Sequence, residues 1–95
     1  MVAPIGKTFE ITGTVKKIER QGSEYMVILE EKYSIGGITA EQEIFAYFGS
    51  DQRESLLETE AGRKLTFIGK VTLVYDMGWM RMSSNFQNCR VIKAY

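Results

Sequence analysis

Residues 43–69 read EIFAYFGSDQRESLLETEAGRKLTFIG. Ile44, Ala46 and Phe48 alternate with Glu43, Phe45 and Tyr47, a period of two that predicts a strand from Glu43 to Phe48. From Ser50 the pattern changes. Asp51 is followed three residues later by Glu54 in a capping-box arrangement, with Leu56-Leu57 on the next turn, which predicts one short helix. It is expected to end near Gly62, a natural left-handed terminator. At Lys64 the two-residue period resumes with Leu65, Phe67, Gly69, Val71 and Leu73 and continues to Tyr75. The stretch is therefore strand, short helix, strand.

Before it, Phe9, Ile11, Gly13 and Val15 alternate with polar residues and predict a strand from Thr8 to Ile18. Gln21-Gly22-Ser23 marks a turn, and Tyr25 to Glu31 is a second strand that Ser34-Ile35-Gly36-Gly37 breaks. The segment from Glu31 to Gln42 reads as a long loop, which adjacent glycines would make a mobile arm. After the central stretch, Asp76-Met77-Gly78 reads as a hairpin turn into Trp79 to Ser83, Ser83-Ser84-Asn85 as a polar turn or bulge, and Cys89 and Val91 as the last strand. Three strands, a helix and a long hairpin is the order of an all-β, five-stranded OB-fold barrel with one short helix between strands 3 and 4. Gly13 and Gly69 each fall on an apolar strand face, where a missing side chain lets the strand bend as a barrel closes. An open meander with two incidental glycines is the alternative reading of the same letters.

The chain has 95 residues, so residues 1–95 form a single domain with one core and no room for a second. No His is present and only one Cys, which removes the commonest general acid/base, thiolate metal cages and internal disulfides. No catalytic constellation remains: Glu30 and Glu31 point to opposite faces of a strand, and Gly36-Gly37 lacks the Lys and helix of a phosphate loop. We read the chain as a binding module and not an enzyme, with no catalytic residue, metal or cofactor. Cys89, in phase with Val91, reads as a small buried hydrophobe. Met1 to Ile5 is too short for a signal or spanning segment, so the expectation is a cytoplasmic chain with no membrane insertion, although a chain trimmed of a signal would read the same.

Several runs together resemble a known family. Gly13-Thr14-Val15 with Ile18, Val27-x-Leu29, Ile44-x-Ala46-x-Phe48, the run from Gly62 to Val71 and Asn88-Cys89-Arg90-Val91 are similar to the bacterial tRNA anticodon-like OB-fold family. The resemblance runs from about Phe9 to Ile92 and rests on core spacing and barrel glycines. It implies an OB domain of the nucleic-acid-binding type and supplies no catalytic residue.

If Val27, Leu29, Ile44, Ala46 and Phe48 fill the barrel, then Met26, Ile28, Phe45 and Tyr47 lie outside on strands 2 and 3. OB-folds bind oligonucleotides on that face, and Phe45 or Tyr47 could stack a base for roughly 1 to 3 kcal/mol without reading sequence. The same four residues serve equally as a protein-contact patch, as a homo-oligomer seam or as support for the neighbouring loop. At the hairpin tip, Tyr75 and Trp79 are either a stacking clamp or a cross-strand pair that stabilises the turn.

The neutral total hides an asymmetry. Up to Gly62 six cations face eleven acids, while from Arg63 onward six cations face only Asp76. Lys16 and Lys17, with Lys70 and Arg81, are the candidate phosphate contacts, opposed by Glu30, Glu31, Glu41 and Glu43 nearby. Two functions therefore stand. One is a module for single-stranded DNA or RNA using Phe45, Tyr47, Tyr75, Trp79, Lys16, Lys17, Lys70 and Arg81. The other is a protein-interaction or self-assembly module using Met26, Ile28, Phe45 and Tyr47.

Overall fold

In the computed structural model, which describes residues 5–35, 37–76, 78 and 81–95, five long strands account for most of the chain. They are β1 (Thr8–Gln21), β2 (Glu24–Ile35), β3 (Ile38–Phe48), β4 (Lys64–Asp76) and β5 (Arg81–Ala94). Between β3 and β4 lie a 3-10 turn, Ser50–Gln52, and helix α1, Arg53–Leu56. The strands close in the order β1-β2-β3-β5-β4, and only the β3–β5 pairing is parallel. This is the OB barrel that the order of elements predicts.

Closure depends on β1 serving two neighbours. Its first half pairs with β4 and its second with β2, Thr14 being opposite both Lys64 and Glu30. The register slips between Val15 and Lys17, a bulge that bends the strand around the corner. Gly13 precedes the bend, and a Cβ there would stand 3.3 Å from the Leu29 Cβ. At the bulge the Val15 amide donates to the Arg63 carbonyl at 2.8 Å and the Gly62 amide donates to the Val15 carbonyl at 2.8 Å. Gly62, at φ +92°, thus turns the chain into β4. It does not end the helix, which stops several residues earlier.

The interior is filled from every strand. Val15, Val27, Leu29, Ile44, Ala46, Phe48, Leu65, Phe67, Val71, Phe86 and Cys89 form one cluster with Leu56 of α1. Phe67 lies at its centre, edge-to-face with Phe48 at 5.8 Å and with Phe86 at 5.5 Å, an arrangement the ring quadrupoles favour.

Four features differ from the sequence expectation. The segment from Glu31 to Gln42 is not a loop: β2 and β3 continue as a hairpin whose pairing runs from Glu31↔Gln42 to Ile35↔Ile38. β1 likewise extends past Ile18 to Gln21. The one short helix is present but ends at Leu56 and not near Gly62, and no side chain caps either it or the 3-10 turn, so the Asp51/Glu54 pattern forms no capping box. Ser83 and Ser84 are buried within β5 instead of forming a turn, and Ser84 Oγ accepts a hydrogen bond from Gln42 Nε2 at 3.1 Å. The bulge in β5 falls later, at Asn88, whose φ of 54° is one that Asn tolerates better than most residues.

Gly69 packs directly against β5. A Cβ at this position would lie 2.6 Å from Cys89 Sγ and 3.3 Å from Phe86 Cβ, so even alanine requires the buried Cys89 side chain to shift. Gly69→Ala is expected to lose about 1 to 3 kcal/mol through overpacking. Adding Cys89→Ala removes the sulfur and should return part of that loss, a coupling that urea melts of both single variants and the double variant would reveal.

Burial also pushes the Cys89 thiol up to about 12, despite an opposing hydrogen bond from the Tyr47 backbone. The thiol is neutral and unreactive in the folded chain. Since its folded pKa lies above the unfolded value of 9.0, this contribution to stability is intact below that pH and lost as pH rises toward about 12. Cys89→Ala should flatten the stability profile over that window, by up to about 1.4 kcal/mol per pH unit, in urea melts at stepped pH.

Candidate nucleic-acid interface

With Val27, Leu29, Ile44, Ala46 and Phe48 inside the barrel, the alternate residues of β2 and β3 form an outer face of cross-strand pairs. Along it run Met26↔Tyr47, Ile28↔Phe45, Glu30↔Glu43 and Lys32↔Glu41. β5 continues the rows, with Asn85 beside Phe45, Ser83 beside Glu43 and Arg81 beside Glu41. Beyond β5, Leu73 lies opposite Asn85 and Tyr75 opposite Ser83 on β4.

One half of this face is apolar. Ile28, Phe45 and Tyr47 are partly buried, and Met26 is only 7% exposed, so Met26 supports the strip more than it presents it. Leu73 and Tyr75 extend it, at 37% and 51% exposed. The two-residue period groups Leu73 with the inward positions Leu65, Phe67 and Val71. A register slip between Val71 and Leu73 reverses the phase of β4 and turns Leu73 outward, leaving Val74 against the core. Thr72, at the slip, donates its hydroxyl to the Asn85 carbonyl at 3.3 Å. Half-buried rings are already positioned, so stacking a base on them orders little additional side chain.

The other half is ionic. Glu30 and Glu43 stand directly opposite each other, and like charges in that position destabilise a sheet. Lys16 Nζ sits 3.7 Å from a carboxylate oxygen of each. Lys32 Nζ lies 3.2 Å from Glu30 and 3.9 Å from Glu41, and Arg81 Nε 3.7 Å from Glu41. Three cations thus alternate with three carboxylates along the rows, and Lys16, Arg81 and the three carboxylates line a cleft of about 50 Å³. That volume suits water and is too small for a base. The members are solvent-accessible, so each pair contributes at most about 1 kcal/mol.

The candidate residues therefore divide. Phe45 and Tyr47 lie together, and Tyr75 lies farther along the same face. Lys16 and Arg81 share the ionic cleft, where carboxylates already hold them. Lys17 pairs with Glu19 at 2.5 Å, beside the row containing Ile28. Lys70 is elsewhere, between Thr8 of β1 and Gln87 of β5. Trp79 lies outside the described residues. Asn85 and Leu73 are the positions the sequence reading missed. Cross-strand register places Asn85 there, and a bulge places Leu73; neither leaves a local trace.

Among solved structures, the chain is similar to a small single-stranded DNA binding protein from Mycoplasma pneumoniae. The TM-score is 0.60 at 9% sequence identity, and the match covers 93% of this chain and 90% of that one. At that identity the likeness is one of fold. No protein-family model matches the chain, so the tRNA anticodon-like resemblance stands at the coarser level of an OB-like barrel. No curated protein matches it either. Among the described residues, no helix is long and apolar enough to cross a membrane.

Proposed function

We propose that this chain is a cytoplasmic module that binds single-stranded DNA or RNA with little sequence preference, a distant relative of the anticodon-binding OB domains. The observation that carries this reading is the apolar strip of Ile28, Phe45 and Tyr47 on the outer face of β2 and β3 in a closed OB barrel. A base offers a flat π surface to Phe45 and Tyr47, and stacking of this kind is indifferent to sequence. Tyr75 extends the stacking surface on β4, Trp79 is the further stacking residue that the sequence suggests, and Lys16, Lys17, Lys70 and Arg81 contact phosphates. The likeness of fold to a single-stranded DNA binding protein supports the same reading.

The carboxylates of Glu30, Glu41 and Glu43 favour a second reading, in which the strip around Met26, Ile28, Phe45 and Tyr47 receives a protein or a second copy of the chain. Titrating a labelled oligonucleotide at low and high salt, alongside the concentration dependence of the chain's mass, separates the two. Saturable, salt-weakened binding by a monomer supports the first. A mass that rises with concentration, with no oligonucleotide bound, supports the second.

A further inference from the structure

Most cations of the last third of the chain are not on the face just described. Leu65 and Phe67 are fully buried and Gly69 packs against Cys89, so Lys64, Thr66, Ile68 and Lys70 are on the outer side of β4, where Thr66 is itself buried and bonded to the Tyr95 hydroxyl. Across the neighbouring strands, Thr66 lies between Thr12 of β1 and Lys93 of β5, and Ile68 between Glu10 and Arg90. Lys64, Lys70, Arg90 and Lys93 are all exposed, and among the described residues none has a carboxylate within 4.0 Å. This contrasts with Lys16, Lys17, Lys32 and Arg81, each of which is held by glutamate. Glu10 is the one side-chain carboxylate in these rows.

The far end of the face is ordered by side chains. The Thr12 and Thr66 hydroxyls are 2.6 Å apart, and Thr66 donates to the Tyr95 hydroxyl at 3.4 Å. The ammonium of Lys93 stands 4.7 Å from the centre of the Tyr95 ring. Tyr95 is still half exposed. From Lys64 to Lys70 the strand rise gives a track of roughly 20 Å.

This track is continuous with the stacking face. Tyr47 sits between the Ala46↔Phe86 and Phe48↔Cys89 pairings, which places it against the Gln87–Asn88 stretch of β5, and Gln87 in turn pairs with Lys70. We propose that the outer surface of β4, with its neighbours on β1 and β5, is a second contact surface for the same nucleic-acid strand. Lys64, Arg90 and Lys93 hold the phosphodiester backbone of the segment that runs past Tyr47 and Lys70. The inference rests on the functional reading above and adds a direction to it. The strand leaves the apolar strip by way of β5, at the end opposite the ionic cleft where Lys16 and Arg81 lie.

The test uses the full chain and two labelled oligothymidylates, one of about 6 nucleotides, near the lower end of the roughly 4 to 16 that a single OB domain occupies, and one of about 20, beyond its upper end. In Lys64→Gln/Arg90→Gln/Lys93→Gln, affinity for the short strand should stay within about twofold of the parent. Affinity for the long strand should fall at least tenfold at low salt, and its logarithmic salt dependence should lessen by about 2, at about 0.7 per lost phosphate contact. An unchanged melting temperature shows that the variant folds. Equal affinity and equal salt slope for the long strand in parent and variant overturn the proposal, as does an equal loss on both strands. If the parent binds neither strand, the functional reading fails and takes this proposal with it.

Discussion

Leu56→Ala should be among the most damaging single substitutions in the chain, while Leu57→Ala, one residue on, should be nearly silent. Leu56 is 3% exposed and joins the barrel core, whereas Leu57 is 72% exposed. A four-residue helix with no side-chain cap has no stability of its own. What holds it is the leucine it inserts among the strands' side chains, together with the hydrogen bond that Gln52 Oε1, at its N-cap, accepts from the Val91 amide at 2.9 Å. Removing that side chain leaves a cavity and should lower stability by about 2 to 5 kcal/mol. A domain of this size holds about 5 to 14 kcal/mol in total, so the loss should lower the melting temperature by roughly 10 to 30 °C. Leu57→Ala should stay within about 0.5 kcal/mol of the parent. Paired urea and thermal melts check this; equal losses in the two variants would show that α1 does not plug the barrel as described.

The second large effect concerns binding. Phe45→Ala and Tyr47→Ala each remove one ring from the apolar strip and should each weaken an oligonucleotide complex by about 1 to 3 kcal/mol, roughly five- to 150-fold. The rings lie in neighbouring rows, so the double variant should lose more than either alone. Neither belongs to the barrel core, and the variants should still melt cooperatively. Fluorescence anisotropy with a labelled oligothymidylate measures the loss. Affinity unchanged in both variants would remove the stacking role assigned to this strip.

The barrel was legible in the sequence wherever a strand has an inside and an outside. Val27 and Leu29 on β2, and Ile44, Ala46 and Phe48 on β3, alternate because the interior accepts only apolar side chains. The sequence signal failed where that constraint lapses. Among the described residues, the β1–β2 pairing ends at Glu30 and the β3–β5 pairing begins at Glu41, while the β2–β3 hairpin runs on to Ile35↔Ile38. Its letters therefore read as a loop. At α1 the sequence showed the short helix and its place between β3 and β4, but not its end, which falls at Leu56, nor the absence of a side-chain cap.

The site was legible in part for a related reason. Facing direction follows from period, which placed Phe45 and Tyr47 outside correctly and Leu73 inside wrongly, since a bulge is a fault in period. Neighbourhood across strands does not follow from period at all. The count of charges showed an acidic middle and a basic end, but only the register separates Arg81, which joins Glu41 in the ionic cleft, from Lys64, Lys70, Arg90 and Lys93 on another face.

The central claim is that this barrel binds a single strand of nucleic acid on the outer face of β2 and β3. Its most direct test is the anisotropy titration of a labelled oligothymidylate with the full chain at low and high salt. The account predicts saturable binding in the micromolar range or tighter, weakened by salt and reduced at least tenfold in Phe45→Ala/Tyr47→Ala. No binding at low salt, with micromolar folded protein, would contradict it.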